Sequence, residues 1–174
     1  DEYRPVNLYA ATKQAFEDIL SYYHDAHALS CITLKLFDTY GVDDRRRKLM
    51  AIIVDAALSG DTIDMSPGEQ TVDLSHVSDV VNALIEVAEF LVAQPSAIKS
   101  AYFVSGERMT VRELVALIAN VLQRPVHANF GGRPYRTREV MVLPARSERM
   151  PFWESRSAKR SLARELPTLA GVGS

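Results

Sequence analysis

The stretch NLYAATKQAFEDILSYYHDAHALSCITLKLF, running from Asn7 to Phe37, carries the two signals on which the fold turns. Asn7 is a residue type whose side chain caps helix N-termini. Behind it Leu8, Ala15, Phe16, Ile19, Leu20 and Tyr23 recur at helical spacing, so a helix is expected to about Ala28. Ser30 to Phe37 then reads as a buried strand, apolar and rich in β-branched residues, ended by Tyr40-Gly41. The chain thus opens on polar residues that lead into a long helix and then a strand, with no strand before the helix, and this suggests an incomplete unit.

Working outward, Arg45 to Leu58 reads as a helix closed by Ser59-Gly60, and Thr71 to Leu74 as a short strand. His76 to Val92 is a strongly periodic helix and Ala101 to Val104 a strand. Thr110, with Glu113 three positions on, forms a capping box before a helix ending near Leu122, and Pro125 to Asn129 is another short strand. Helices alternating with strands imply a domain of α/β construction. Residues 1–143 form that domain. Residues 144–174 read as a loop-rich, partly disordered tail: a short helix is expected from Ser157 to Glu165, and disorder from Leu166 to Ser174, where no apolar period is visible.

The bulk numbers exclude several classes. With 174 residues, 47% apolar and 24% charged, the chain can bury an ordinary core. A net charge of -2 leaves no basic surplus for a nucleic-acid partner. No apolar run is long enough to cross a bilayer, and no signal peptide is read at Asp1. Cys31 is the single cysteine, which fits a reducing cytoplasm, and its apolar setting reads as an inert, buried thiol. His24, His27 and His127 show no ligand spacing with Cys31 or with each other, so no metal site is expected.

The chemistry concentrates in Asn7-Leu8-Tyr9-Ala10-Ala11-Thr12-Lys13. Tyr9 and Lys13 share one helix face, with Cβ atoms roughly 5–6 Å apart. A lysine cation about 4 Å from a phenol favours the phenolate by ~4 kcal/mol at an effective dielectric near 20. Such a pair can move a proton to or from a carbonyl or hydroxyl, although the same spacing also describes an ordinary surface pair.

The order of further motifs adds to this pair. The strand ends Leu36-Phe37-Asp38-Thr39-Tyr40-Gly41, and Val72-Asp73-Leu74-Ser75-His76-Val77-Ser78-Asp79-Val80 opens a later helix. Together with Pro5-Val6-Asn7-Leu8-Tyr9-Ala10-Ala11-Thr12-Lys13, this resembles the extended short-chain dehydrogenase/reductases of the NAD-dependent epimerase/dehydratase family. The wording looks especially like the NDP-4-keto-6-deoxyhexose reductases and epimerases, CDP-abequose synthase-like enzymes among them, and the resemblance covers about Tyr3 to Leu143. The resemblance implies that Tyr9 is the acid/base acting on the sugar oxygen and that Lys13 holds the nicotinamide ribose of NAD or NADP. It places Tyr40 at the cofactor and sugar pocket, and Asp38, Arg46, Lys48, Leu49 and Arg136 with the nucleotide-sugar. It also implies part of a Rossmann-type parallel sheet with a small C-terminal substrate-binding lobe, and a homodimer through the Tyr9 helix.

Two departures stand out: Asp38 where the family often has Asn, and Val72 where many members carry Arg. Asp38 also reads as the cap of the following turn. Arg45-Arg46-Arg47-Lys48 reads equally as a phosphate clamp and as a solvated cluster balanced by Asp43 and Asp44. His76 reads as structural and Trp153 as a packing anchor, with a substrate lid as the alternative for Trp153. The chain carries no G-x-x-G-x-x-G element after a strand, so the main cofactor-binding loop is absent from it. The expected function is the substrate-binding and acid/base half of an NAD(P)-dependent nucleotide-sugar 4-keto reductase or epimerase in deoxysugar biosynthesis. The alternative is a catalytically inactive remnant or an interaction domain.

Overall fold

The computed structural model describes residues 5–42, 44, 46–143, 150, 152–153 and 161–172. The chain opens on helix α1 (Leu8–His27), continues through strands β1 (Cys31–Leu36) and β2 (Asp38–Tyr40), and enters helix α2 (Leu49–Ser59). Strands β3 (Thr62–Met65) and β4 (Thr71–His76) precede helix α3 (Val77–Val92). Strands β5 (Lys99–Val104) and β6 (Glu107–Thr110), helix α4 (Val111–Leu122), strand β7 (His127–Phe130) and helix α5 (Leu162–Leu169) complete it.

The fold is α/β with parallel strand pairing, as expected. β1 pairs parallel with β5, from Cys31 opposite Lys99 to Leu36 opposite Val104. β2 pairs parallel with β4, and β4 antiparallel with β6. β3 pairs parallel with β7. Two cores result. Val80, Ala83 and Val87 of α3 pack against Val104 of β5, with Ile32, Leu34, Tyr102, Phe152 and Trp153 around them. Trp153 therefore packs, rather than covering a site as a lid. The larger core joins Ile53 and Val54 of α2, Val72 and Leu74 of β4, Leu114 and Ile118 of α4, and Leu162 and Leu166 of α5.

The helix signals were local and hold. The Asn7 side chain accepts from the Ala10 amide at 2.8 Å. Gly60 closes α2 at φ +80°, a conformation that favours glycine. Thr110 and Glu113 form the reciprocal capping box, with Thr110 N donating to Glu113 Oε2 at 2.7 Å and Glu113 N to Thr110 Oγ1 at 3.1 Å. The Thr110 amide first, and then the Thr110 hydroxyl donating to the same Oε2 at 2.9 Å, lower the Glu113 carboxyl from its ordinary value. The box therefore contributes stability above the ordinary glutamate range and loses it as pH falls through the lowered folded value. Thr110→Ala is expected to lower unfolding stability by about 0.5–2 kcal/mol and, because the backbone N–H at 110 remains, to reduce this acid dependence only in part, both read by urea melts at several pH values. An unchanged midpoint would contradict the cap.

Four expectations are corrected. α2 starts at Leu49 rather than Arg45, because Arg46 folds back onto Asp44 and keeps the preceding turn out of the helix; Arg45 itself lies outside the described residues. Asp38 does not end a strand as a turn cap; it opens β2, opposite Leu74. β3 and β6 were not expected at all. Finally, Leu166 to Leu169 is helical, not disordered. Leu162 and Leu166 lie one turn apart and are fully buried, which anchors α5 against α4 despite Pro167. Residues 157–160 of the expected short helix lie outside the described residues.

α1 differs from the other long helices in burying none of its residues. Its apolar side chains Phe16, Ile19 and Tyr23 are exposed, and it is tied to the sheet by Glu17 to Lys35 at 3.3 Å and by Lys99 Nζ donating to Ser21 Oγ at 2.9 Å. Val81, Leu84 and Ile85 leave a second exposed apolar face on α3.

Candidate active site

Between β2, α2 and α5 lies a cavity of about 420 Å³. Five residues singled out from the sequence line it together: Asp38 and Tyr40 of β2, Arg46 and Lys48 of the connecting loop, and Leu49 at the start of α2. Val54, Val72 and Leu114 supply apolar wall, so the space combines a greasy floor with a few convergent polar groups, as small-molecule sites do. Val72, one of the two departures noted above, is part of that apolar wall.

The two cations are held differently. Lys48 Nζ donates to the Thr39 carbonyl at 3.3 Å, which fixes its stem along β2. Arg46 grips Asp44 through both ends of the guanidinium, Nε to Oδ1 at 2.7 Å and a terminal nitrogen to Oδ2 at 2.8 Å, while its own amide also donates to Oδ1. Those hydrogen bonds hold the Asp44 carboxyl down to about 2 and raise the guanidinium. Arg46 is thus neither a free phosphate clamp nor a freely solvated charge: an incoming anion has to compete with Asp44 for it. Arg47 reaches Asp55 at 3.9 Å on the surface.

Tyr40 is 3% exposed and stacks edge-on against His76. Its buried hydroxyl has no hydrogen-bond partner among the described residues. Burial first, then the carboxylates of Glu107, Glu165 and Asp79, push this phenol well above the ordinary tyrosine range, so it stays protonated at neutral pH. His76 is structural, as expected: its Nδ1 accepts from the Ser78 amide at 3.2 Å and caps α3.

Tyr9 and Lys13 sit elsewhere, on the outer face of α1. Tyr9 is 71% exposed, and the Lys13 ammonium lies 5.4 Å from the centre of its ring, over the ring face. The pair shares a face as the spacing requires, but neither residue lines the cavity. Arg136 is exposed and is not part of the cavity lining either. Cys31 is a free, half-buried thiol in β1. Among the described residues no cluster of three or more His, Cys, Asp or Glu side chains could hold a metal ion, and no helix is long and apolar enough to cross a membrane.

Two features escaped the sequence reading. Thr168, Leu169 and Gly171, at the end of α5, line the same cavity. The signal was the spacing Leu162, Leu166, Leu169, obscured by Pro167. The second is Asp73, 1% exposed in β4, which accepts from Ser105 Oγ at 2.5 Å, Gly106 N at 2.7 Å and Arg108 Nε at 3.2 Å. It ties β4 to the turn into β6. Gly106 must be glycine there, because an added Cβ would come within 2.1 Å of the Leu74 carbonyl oxygen.

Comparison with known proteins places the chain in a family. The chain is 30% identical to a CDP-abequose synthase of Yersinia pseudotuberculosis over 137 residues, 79% of this chain and 47% of that protein. It is 26% identical to the CDP-abequose synthase of Salmonella typhimurium, over 85% of this chain and 50% of that protein. The chain therefore spans about half the length of these relatives. In fold it is similar to a UDP-glucose-4-epimerase from Stenotrophomonas maltophila solved with NAD and formylated UDP-arabinopyranose, with a TM-score of 0.80 and 18% identity over 98% of this chain and 56% of that one. Residues 1–99, which include α1, β1, β2, α2, β3, β4 and α3, match the NAD dependent epimerase/dehydratase family, and the chain belongs to that family.

Proposed function

We propose that this chain is the substrate-binding and acid/base half of an NAD(P)-dependent nucleotide-sugar 4-keto reductase or epimerase. The observation that carries the reading is the convergence of Asp38, Tyr40, Arg46, Lys48 and Leu49 on one partly apolar cavity with two cations in its lining. A nucleotide-sugar offers matching chemistry: a flat base for the apolar wall, a diphosphate for Arg46 and Lys48, and sugar hydroxyls for the remaining polar groups.

What the chain offers NAD(P) is one side of a nicotinamide site. Tyr9 and Lys13 stand open on α1, and no glycine-rich loop accompanies them to cradle a pyrophosphate. NAD(P), when bound, supplies or accepts the hydride. Tyr9 gives or takes the proton at the sugar C4 oxygen, and Lys13, four residues on along the same face, holds the ribose. The bare face of α1 is the natural seat for the half that binds the rest of the cofactor, or for the same helix of a second copy in a homodimer. That same exposed face is also what favours the second reading, an interaction domain without catalysis.

Calorimetric titration of the chain with UDP-glucose and CDP-glucose tests the proposal. Saturable binding of at least one is expected, weakened about tenfold or more in a double Arg46→Ala, Lys48→Ala variant, since charge-assisted hydrogen bonds contribute about 1.5–3 kcal/mol each. NAD alone is expected to give no tight binding. Absence of binding by both sugar nucleotides would overturn the reading and leave the interaction domain.

A further inference from the structure

We propose that the end of helix α5 is a working wall of the cavity and that Glu107, outside it, is the positioning residue that holds this wall in place. The proposal rests on the reading of the cavity as a nucleotide-sugar site. Thr168, Leu169 and Gly171 line the cavity along with β2 and α2, although they stand far from those elements in sequence. Their position therefore depends on how α5 is docked.

The docking has three parts. Leu162 and Leu166 are fully buried in the larger core, which fixes one face of α5. The first turn lacks a side-chain cap from Ser161. Its Leu162 amide donates instead to the Glu107 carboxylate, so an acid on β6 satisfies the helix N-terminus and complements its dipole. The last turn is closed by Ala170 N donating to Leu166 O at 2.9 Å, Gly171 N to Thr168 O at 3.1 Å and Val172 N to Pro167 O at 3.0 Å. Gly171, at φ +67°, permits the chain reversal.

Glu107 also pairs in register with Leu74, whose side chain lines the same cavity. One strand pair thus sets both the floor and, through Glu107, the α5 wall. Thr168 is exposed and places a hydroxyl in the cavity lining, where it can hydrogen-bond a sugar or ribose hydroxyl.

The test compares Glu107→Ala, Glu107→Gln and Thr168→Trp with the unaltered chain, using UDP-glucose and CDP-glucose as probes and amide hydrogen exchange as a second readout. Glu107→Ala is expected to weaken binding at least tenfold and to speed exchange in α5 while α3 stays protected. Glu107→Gln, whose amide oxygen still accepts from Leu162, is expected to restore both. Thr168→Trp fills the cavity from an exposed position and is expected to abolish binding with an unchanged unfolding midpoint. Wild-type affinity in both Glu107→Ala and Thr168→Trp would overturn the proposal. If Glu107→Ala fails to fold, Thr168→Trp decides it alone: lost binding supports the wall and retained binding overturns it. If the unaltered chain binds neither probe, the cavity reading has failed and the wall with it. Exchange in α5 then decides the role of Glu107 separately, with unchanged rates overturning it and faster rates confined to α5 supporting it.

Discussion

Tyr9→Phe in the full-length protein is expected to lower turnover by about 100- to 10,000-fold, the range over which a positioned acid/base contributes. The substitution removes one hydroxyl and keeps the ring. Tyr9 is 71% exposed and α1 buries none of its residues, so no packing is lost with it. The unfolding midpoint and the affinity for sugar nucleotides should therefore stay where they are while the rate collapses, and that split marks a chemical role. Steady-state kinetics alongside a thermal melt reads both. An unchanged rate would remove Tyr9 from the mechanism.

Asp73→Ala is expected to cost about 3–5 kcal/mol, because truncation withdraws one buried acceptor from Ser105, Gly106 and Arg108 together. Against a typical total of about 5–15 kcal/mol this is a large share. The damage should spread along a definite route. Asp73 holds the turn that lets Gly106 press against the Leu74 carbonyl and starts β6 at Glu107, so loosening it also loosens the support of α5. Asp73→Asn keeps one acceptor oxygen and should fall between the two. Urea denaturation measures all three proteins. A loss below about 1 kcal/mol for Asp73→Ala would show that the tie is not a main support of the lobe.

What could be read in advance followed range along the chain. Asn7 on Ala10, Thr110 with Glu113, and Gly60 at the end of α2 act within a few residues, and their side-chain types state the geometry. The five cavity residues between Asp38 and Leu49 were named from the family resemblance, and they line one cavity. Asp73 could not: an isolated acid in a short strand looks like a solvent-facing position until the loop before β6 folds over it. β6, four residues long and half-buried throughout, gave no alternation to recognise. In α5 no apolar period was visible from Leu166 on, yet burial of Leu162 and Leu166 outweighs the one hydrogen bond that Pro167 removes near a helix end. On α1 the helical period was legible from the apolar side chains, and in the fold Leu8, Phe16, Ile19 and Tyr23 of that stripe are exposed, with none of the helix's residues buried.

The most direct measurement supplies the full-length protein with NAD(P)H and a nucleotide 4-keto-6-deoxyhexose, and separately with NAD and UDP-glucose, and follows the sugar at C4 by NMR. The expected result is reduction of the ketone with matching loss of NAD(P)H, or inversion at C4 with no net loss of cofactor. A protein that binds both cofactor and sugar nucleotide, yet returns every sugar unchanged at C4, would contradict the account.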